Sequence, residues 1–327
     1  MPFARFDRRR FLALSAGFLA APALRAAAER EDLRGIYPIM QTPYLDSGGV
    51  DFDTLAEEAR FLDRVGSHGM VWPQLASEYF LLTEDERMKG MEALAKASRG
   101  LKPKLVLGVQ AENAEQAVAY ARHANHLGPA GIIALPPREE GQQEFDLDAT
   151  SDYYRAVAEA CPLPLFVQAI GNMSVEYILG LAREIPTLQY VKDEAGHTLS
   201  RITEFSEKRE GPWPQVFTGA HGRTLIDEMA RGAAGSMPAA SWVELYVDAW
   251  DLWHDGYRSE AIDLFSKVML FVTQAGAYGL PSLSYVLHMR GVFPNWKVRS
   301  PEAKPLDEES QQALRRTYEF VKPYLRA

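Results

Sequence analysis

Short apolar runs and segments of helical period alternate along this chain from about residue 35 to residue 253, and eight of each can be counted. The runs fall at 35–41, 69–74, 104–109, 131–135, 165–169, 188–192, 216–219 and 235–238. The helical segments fall at 52–65, 84–98, 114–127, 149–160, 175–184, 199–208, 223–231 and 242–253. Strict strand–helix alternation favours a parallel sheet, because parallel neighbours need a crossover long enough to hold a helix. Eight units favour closure into a barrel over an open, doubly wound sheet. No GxGxxG or GxxxxGK[ST] pattern follows a strand, which counts against a nucleotide fold. Beyond residue 253 the pattern is wholly helical, at 259–273, 283–289 and 306–324. The expected fold class is therefore α/β: a (β/α)8 barrel over 33–253 with a C-terminal helical extension over 254–327.

Local signals agree with this division. Thr83 with Glu86 reads as a capping box, and Gly128 and Gly232 stand where helices would stop. Trp242, Tyr246, Trp250 and Trp253 recur at spacings of four, four and three, which lines them along one helix face as packing rather than as a ligand cage. A net charge of −9 argues against non-specific nucleic-acid binding. The one cysteine, Cys161, permits no intramolecular disulfide and supports no cysteine-based metal site.

The opening stretch is of another kind. Arg8-Arg9-Arg10-Phe11-Leu12 precedes a mostly apolar run from Ala13 to Leu24 and then Arg25-Ala26-Ala27-Ala28. A basic head, a short apolar middle and small residues at the end form an export signal, and paired arginines followed one residue later by Phe-Leu resemble the twin-arginine type. Residues 1–28 are accordingly set apart from the fold, and an exported, periplasmic protein is expected. The apolar run is shorter than the roughly 20 residues a membrane span needs, so the alternative is a retained amphipathic anchor. No stable membrane insertion is expected once the signal is removed. Export of an already folded chain agrees with the lack of disulfides.

Lys192 ends the alternating apolar stretch of the sixth run. Burying an ammonium is costly, so a lysine held inside a barrel is driven toward its neutral form and can attack a carbonyl carbon to give a Schiff base. The other reading is a strand-end lysine that reaches solvent.

Four segments carry a resemblance. They are Thr42-Pro43 with Asp46-Ser47-Gly48-Gly49-Val50-Asp51, Ser77-Glu78 with Leu82-Thr83-Glu84-Asp85-Glu86-Arg87, Val191-Lys192-Asp193-Glu194-Ala195-Gly196, and Val298-Arg299-Ser300-Pro301 with Pro305-Leu306. In order and spacing they resemble the opening, the second-strand segment, the lysine motif and the C-terminal signature of the dihydrodipicolinate synthase and N-acetylneuraminate lyase family of class I aldolases, across about residues 33 to 325. The resemblance implies a (β/α)8 TIM barrel and an imine between Lys192 and a 2-oxo acid at the C-terminal face. It also implies no metal or organic cofactor, and a homo-oligomer, tetramer or dimer.

The chain departs from the family at several places. Gln74-Leu75-Ala76-Ser77-Glu78 stands where the family has Gly-Thr-Thr-Gly-Glu, so the hydroxyls that would bind the substrate carboxylate are absent at Leu75 and Ala76. Backbone N–H groups around Ala76 and the hydroxyl of Ser77 remain as candidates. Gln168 occupies the position of the family's proton-relaying tyrosine, and glutamine is no general acid at neutral pH; the arginine that follows in the family has no counterpart. Pro136-Pro137-Arg138 replaces Pro-Tyr-Tyr, and Arg138 is either a cation for a substrate carboxylate or phosphate or a solvated loop residue. Met237 lies where the family offers a backbone contact to the carboxylate. His197, His221 and Glu78 are candidate acid–base groups, set against polar loop histidines and a structural glutamate. Tyr44 is a candidate replacement phenol or a packing residue. His123 and His126, three apart on a helix, are read as a solvated face rather than as metal ligands.

The function expected is a lyase, aldolase or dehydratase, acting on a 2-oxo acid or sugar-derived 2-oxo acid through Lys192. The missing hydroxyls, the missing tyrosine and the export signal point away from lysine biosynthesis. The alternative is an exported small-acid-binding protein on a degenerate aldolase barrel. A metal-dependent hydrolase is disfavoured because the early strands carry no His-x-His pair.

Overall fold

Eight strands, all paired in parallel, make one sheet in the computed structural model, which describes residues 32–139 and 141–326. The export signal expected at 1–28 lies outside these residues. The strands are β1 (Gly35–Ile36), β2 (Gly69–Trp72), β3 (Lys104–Gly108), β4 (Gly131–Ala134), β5 (Leu165–Ala169), β6 (Leu188–Asp193), β7 (Gln215–Thr218) and β8 (Gly235–Ser236). Their order runs β1-β8-β7-β6-β5-β4-β3-β2. Ile39 closes the ring by bridging both Val71 and Ala239, and Met40 N–H donates to Val71 O at 3.0 Å. The expected barrel is thus present, with β1 and β8 shorter than their apolar runs. Pro38 and Pro238 have no N–H to give a ladder, and regular pairing stops before each.

The helices between strands are α1 (Phe52–Arg64), α2 (Glu84–Ala97), α3 (Ala114–Leu127), α4 (Leu147–Ala160), α5 (Val175–Glu184), α6 (Thr198–Lys208) and α7 (Leu225–Ala230). Many starts are set by side-chain caps. Asp51, Asn113, Asp146 and Ser174 each accept an N–H from the first turn, and Thr83 and Glu86 form the expected reciprocal box. After β8 come α8 (Val243–His254), α9 (Arg258–Tyr278), α10 (Leu280–Met289) and α11 (Glu308–Val321). The aromatic stripe packs on α9: Trp242, just before α8, stacks on Phe271 at 4.5 Å, and Tyr246 of α8 meets Phe265 edge-on at 6.2 Å. A fully buried ion pair, Arg290 to Glu244, ties α10 to α8.

Alternate residues of each strand fill the barrel. Phe166 of β5 stacks on Tyr190 of β6 at 4.3 Å, and both meet Phe217 of β7, at 5.2 and 5.8 Å. Tyr37, just after β1, reaches the same ring at 5.2 Å. A Cβ at Gly235 would overlap the Phe217 ring, which is why β8 presents a glycine to this layer. The aromatic plug seals the barrel below the next inward pair, Gln168 and Lys192, which are register partners two residues further along β5 and β6. This places the lysine toward the C-terminal mouth, above a solid floor.

Candidate active site

Lys192 is only 4% exposed. Its Nζ lies 3.0 Å from Glu194 Oε2, and the amide Nε2 of Gln168 donates to the same oxygen. The other oxygen, Glu194 Oε1, accepts the N–H of Ala220 at 2.9 Å. Three elements therefore converge on one carboxylate: β5 through Gln168, β6 through Lys192, and the turn after β7 through Ala220.

Local geometry explains how Glu194 comes to be there. Residues i and i+2 of a strand share a face, and Glu194 N–H still donates to Ala169 O at 2.9 Å, so β6 remains extended through this position. The residue between points the other way. Asp193 is fully buried and held by Arg201, whose Nη2 and Nε donate to it at 2.8 to 3.0 Å, so the strand end is clamped to α6. Gly219 makes room, since a Cβ there would overlap Glu194 Oε1. Ala220 and His221 follow with φ of 49° and 57°, a left-handed pair that non-glycine residues seldom adopt. The hydroxyl of Tyr246 in α8 donates to His221 O and holds this turn in place.

Electrostatics follow from this packing. Burial works to raise the Glu194 carboxyl, but the Lys192 charge, the Ala220 N–H and the Gln168 amide outweigh it, and the group titrates below the ordinary carboxylate range. Burial holds His221 below the usual imidazole range, against a smaller opposing pull from the Glu194 charge. Gln168 is fully buried and its Oε1 has no hydrogen-bond partner. A buried amide oxygen without a donor is a costly feature.

The remaining expected site residues are placed as follows. Ala76 is half-buried in a 3-10 turn, Leu75–Ser77, that follows β2. The Ser77 hydroxyl is engaged, donating to Met40 O at 2.5 Å and accepting Gln74 N–H at 3.0 Å. Glu78 accepts the N–H groups of Arg299 and Ser300, at 2.9 and 2.6 Å for Oε1, and so binds the C-terminal segment rather than meeting Lys192. Arg138 lines a cavity of about 210 Å³ with Leu75, Tyr79 and Phe80, and its Nε donates to Glu139 O at 3.3 Å. Met237 is buried and its N–H continues the ladder to Thr218 O at 2.8 Å. His197 is exposed and caps α6, with Nδ1 accepting Ser200 N–H at 3.4 Å. His221 stands within electrostatic reach of Lys192 and Glu194.

Tyr44 is buried beneath the Arg299 guanidinium, 4.6 Å from its ring, and borders a separate cavity of about 530 Å³ whose lining does not include Lys192. Burial, then the Glu78 charge, pushes its phenol well above the ordinary range. His123 and His126 make separate contacts, to Met88 O and Arg122 O. Among the described residues no three His, Cys, Asp or Glu side chains form a metal-holding group. Nor is any helix among them long and apolar enough to cross a membrane.

Sequence reasoning overlooked Glu194, although its spacing of two from Lys192 on an extended strand was the signal that both share the inward face.

Comparison with known proteins agrees with the fold and widens the functional frame. The model of the dihydrodipicolinate synthetase family matches residues 32–320. An L-2-keto-3-deoxyarabonate dehydratase of Azospirillum brasilense is 24% identical over 82% of this chain and 88% of its own length. A 4-hydroxy-tetrahydrodipicolinate synthase of Rhizobium meliloti is 27% identical over 86% of this chain and 96% of its own. Among solved structures, a prophage protein of the dihydrodipicolinic acid synthase family from E. coli K12, in complex with pyruvate, superposes with a TM-score of 0.80 at 18% identity, covering 88% of this chain and 98% of that one.

Proposed function

This chain belongs to the dihydrodipicolinate synthetase family, and on that premise we propose that it is a lyase, an aldolase or dehydratase, that acts on a 2-oxo acid or sugar-derived 2-oxo acid through an imine at Lys192. The observation that carries the reading is the position of the Lys192 amine: inside the barrel, toward the mouth, above an aromatic floor and on the strand position in register with Gln168. Once an imine forms on C2, its positive nitrogen withdraws electrons from C3. Loss of a C3 proton, or cleavage of the C3–C4 bond, then passes through an enamine. The dehydratase and synthase names of the two curated relatives support chemistry of this class. The Arg138 cation near the mouth suits a second anionic group on the substrate.

The test is reduction with borohydride in the presence of pyruvate and of a panel of sugar-derived 2-oxo acids, followed by mass spectrometry and turnover assays. A trapped adduct on Lys192, absent from Lys192→Ala, is the expected result. Tight binding of an acid by the unmodified protein with no adduct would replace this reading by that of a small-acid-binding protein, which the glutamine at the tyrosine position favours. The proposal extends to an exported, periplasmic location through the twin-arginine signal and to a homo-oligomer. Retention of Arg8→Lys/Arg9→Lys in the cytoplasm and a dimer or tetramer by sedimentation are the corresponding expectations; unimpaired export or a monomer would remove them.

A further inference from the structure

We infer that Glu194 is the acid–base residue of this site and takes over the proton traffic that a tyrosine would otherwise carry, an inference that rests on imine chemistry at Lys192. Three observations lead there. Glu194 Oε2 is 3.0 Å from the Lys192 nitrogen, within reach of a proton moving to or from the reacting atom. The carboxylate is held from both sides, by Gln168 Nε2 and by Ala220 N–H at 2.9 Å. The turn that supplies the second contact has two consecutive left-handed residues, Ala220 and His221, preceded by the Gly219 that leaves space for the carboxylate. Strained backbone of this kind persists where the surroundings enforce it. Gln168 cannot give up a proton, but it can fix the orientation of a group that does.

The proton balance closes within the site. Glu194 takes one proton from the Lys192 ammonium, and the freed amine attacks C2 of the ketone, pushing the C=O π pair onto oxygen. The Glu194 acid protonates that oxygen, then recovers a second proton from the new secondary ammonium, giving a neutral carbinolamine. It passes this proton to the hydroxyl, the C–O bond breaks, water leaves and the nitrogen lone pair completes the iminium. Two ammonium protons have left with the ketone oxygen, and Glu194 is again a carboxylate.

The competing account is that Glu194 only holds the ammonium, and the two accounts differ in sign. A carboxylate that merely pairs with the cation opposes attack, so removing it would speed imine formation. A carboxylate that relays protons is needed for attack and for loss of water, so removing it would slow both steps. The experiment is the rate of adduct formation between the purified protein and pyruvate under cyanoborohydride. It compares wild type, Glu194→Gln, Glu194→Asp and Glu194→Ala with and without formate, with far-UV circular dichroism confirming the fold of each. The relay predicts a loss of about 10² to 10⁴-fold in Glu194→Gln, partial recovery in Glu194→Asp, and acceleration of Glu194→Ala by added formate. An unchanged or faster rate in folded Glu194→Gln, or no response of Glu194→Ala to formate, overturns the inference and leaves the imine reading standing. Absence of any adduct in the wild type overturns both.

Discussion

Replacing Lys192 by methionine removes a cation from a buried carboxylate while keeping an unbranched stem of similar length, and the structure sets the size of the effect. Breaking a buried ion pair by deleting one member costs about 3–5 kcal/mol, because the other charge is left without compensation. Here the side chain of Glu194 retains 22% exposure, and it keeps the Ala220 N–H and Gln168 amide as partners. Those contacts place the loss at the low end, about 3 kcal/mol. At about 2 °C per kcal/mol for a domain of this size, the thermal midpoint should fall by roughly 6 °C. The pH dependence has a definite sign. In the wild type the Glu194 carboxyl titrates below its ordinary range, so its contribution is fully present above the unfolded value of about 4.3 and is lost as pH falls through the folded one. Without Lys192, burial is the dominant influence and the carboxyl moves above that range. The deficit of Lys192→Met should therefore be largest near pH 7 and shrink toward pH 4, where the variant carboxyl is neutral. Adding Glu194→Gln should return most of the lost stability, with a coupling of about 2–3 kcal/mol between the two positions. Urea and thermal midpoints at both pH values check this. If Lys192→Met is as stable as wild type at pH 7, or if the double variant is no more stable than the single one, the carboxylate does not depend on the lysine.

Other consequences are open to direct measurement. Gly219→Ala places a Cβ over Oε1, Cδ and Cγ of Glu194, so the carboxylate must move off Ala220 N–H; imine trapping should slow by tenfold or more in protein whose far-UV circular dichroism shows it folded, and an unchanged trapping rate would exclude a role for that contact. Glu78→Ala leaves the N–H groups of Arg299 and Ser300 without their acceptor; stability should fall by about 1.5–3 kcal/mol and limited proteolysis should open near residue 299, while Lys192 trapping persists. The Arg299 guanidinium, against a smaller opposing effect of burial, holds the Glu86 carboxyl at about 2. A depressed folded value means stability present above the unfolded pKa of about 4.3 and lost between that and about 2. The urea-midpoint gap between wild type and Glu86→Gln should accordingly be open at pH 6 and closed near pH 2, and a gap independent of pH would rule out the ion pair as its cause.

Period and spacing were enough to read the barrel. Each helix start, each apolar run and the inward face of Lys192 depend on neighbours within four residues, and those relations are written locally in the chain. The same local rule contained Glu194, two residues beyond the lysine on one extended strand, although the acid–base candidates drawn from the sequence were Glu78, His197 and His221. Telling these apart took the tertiary structure, since a polar side chain's role depends on which distant backbone groups reach it first. Glu78 meets N–H groups 221 and 222 residues away, the Ser77 hydroxyl meets a carbonyl 37 residues back, and Glu194 is completed by a turn 26 residues ahead. Closure of the ring brings such groups together, and no pattern within a single strand or helix encodes where a chain of this length will meet itself.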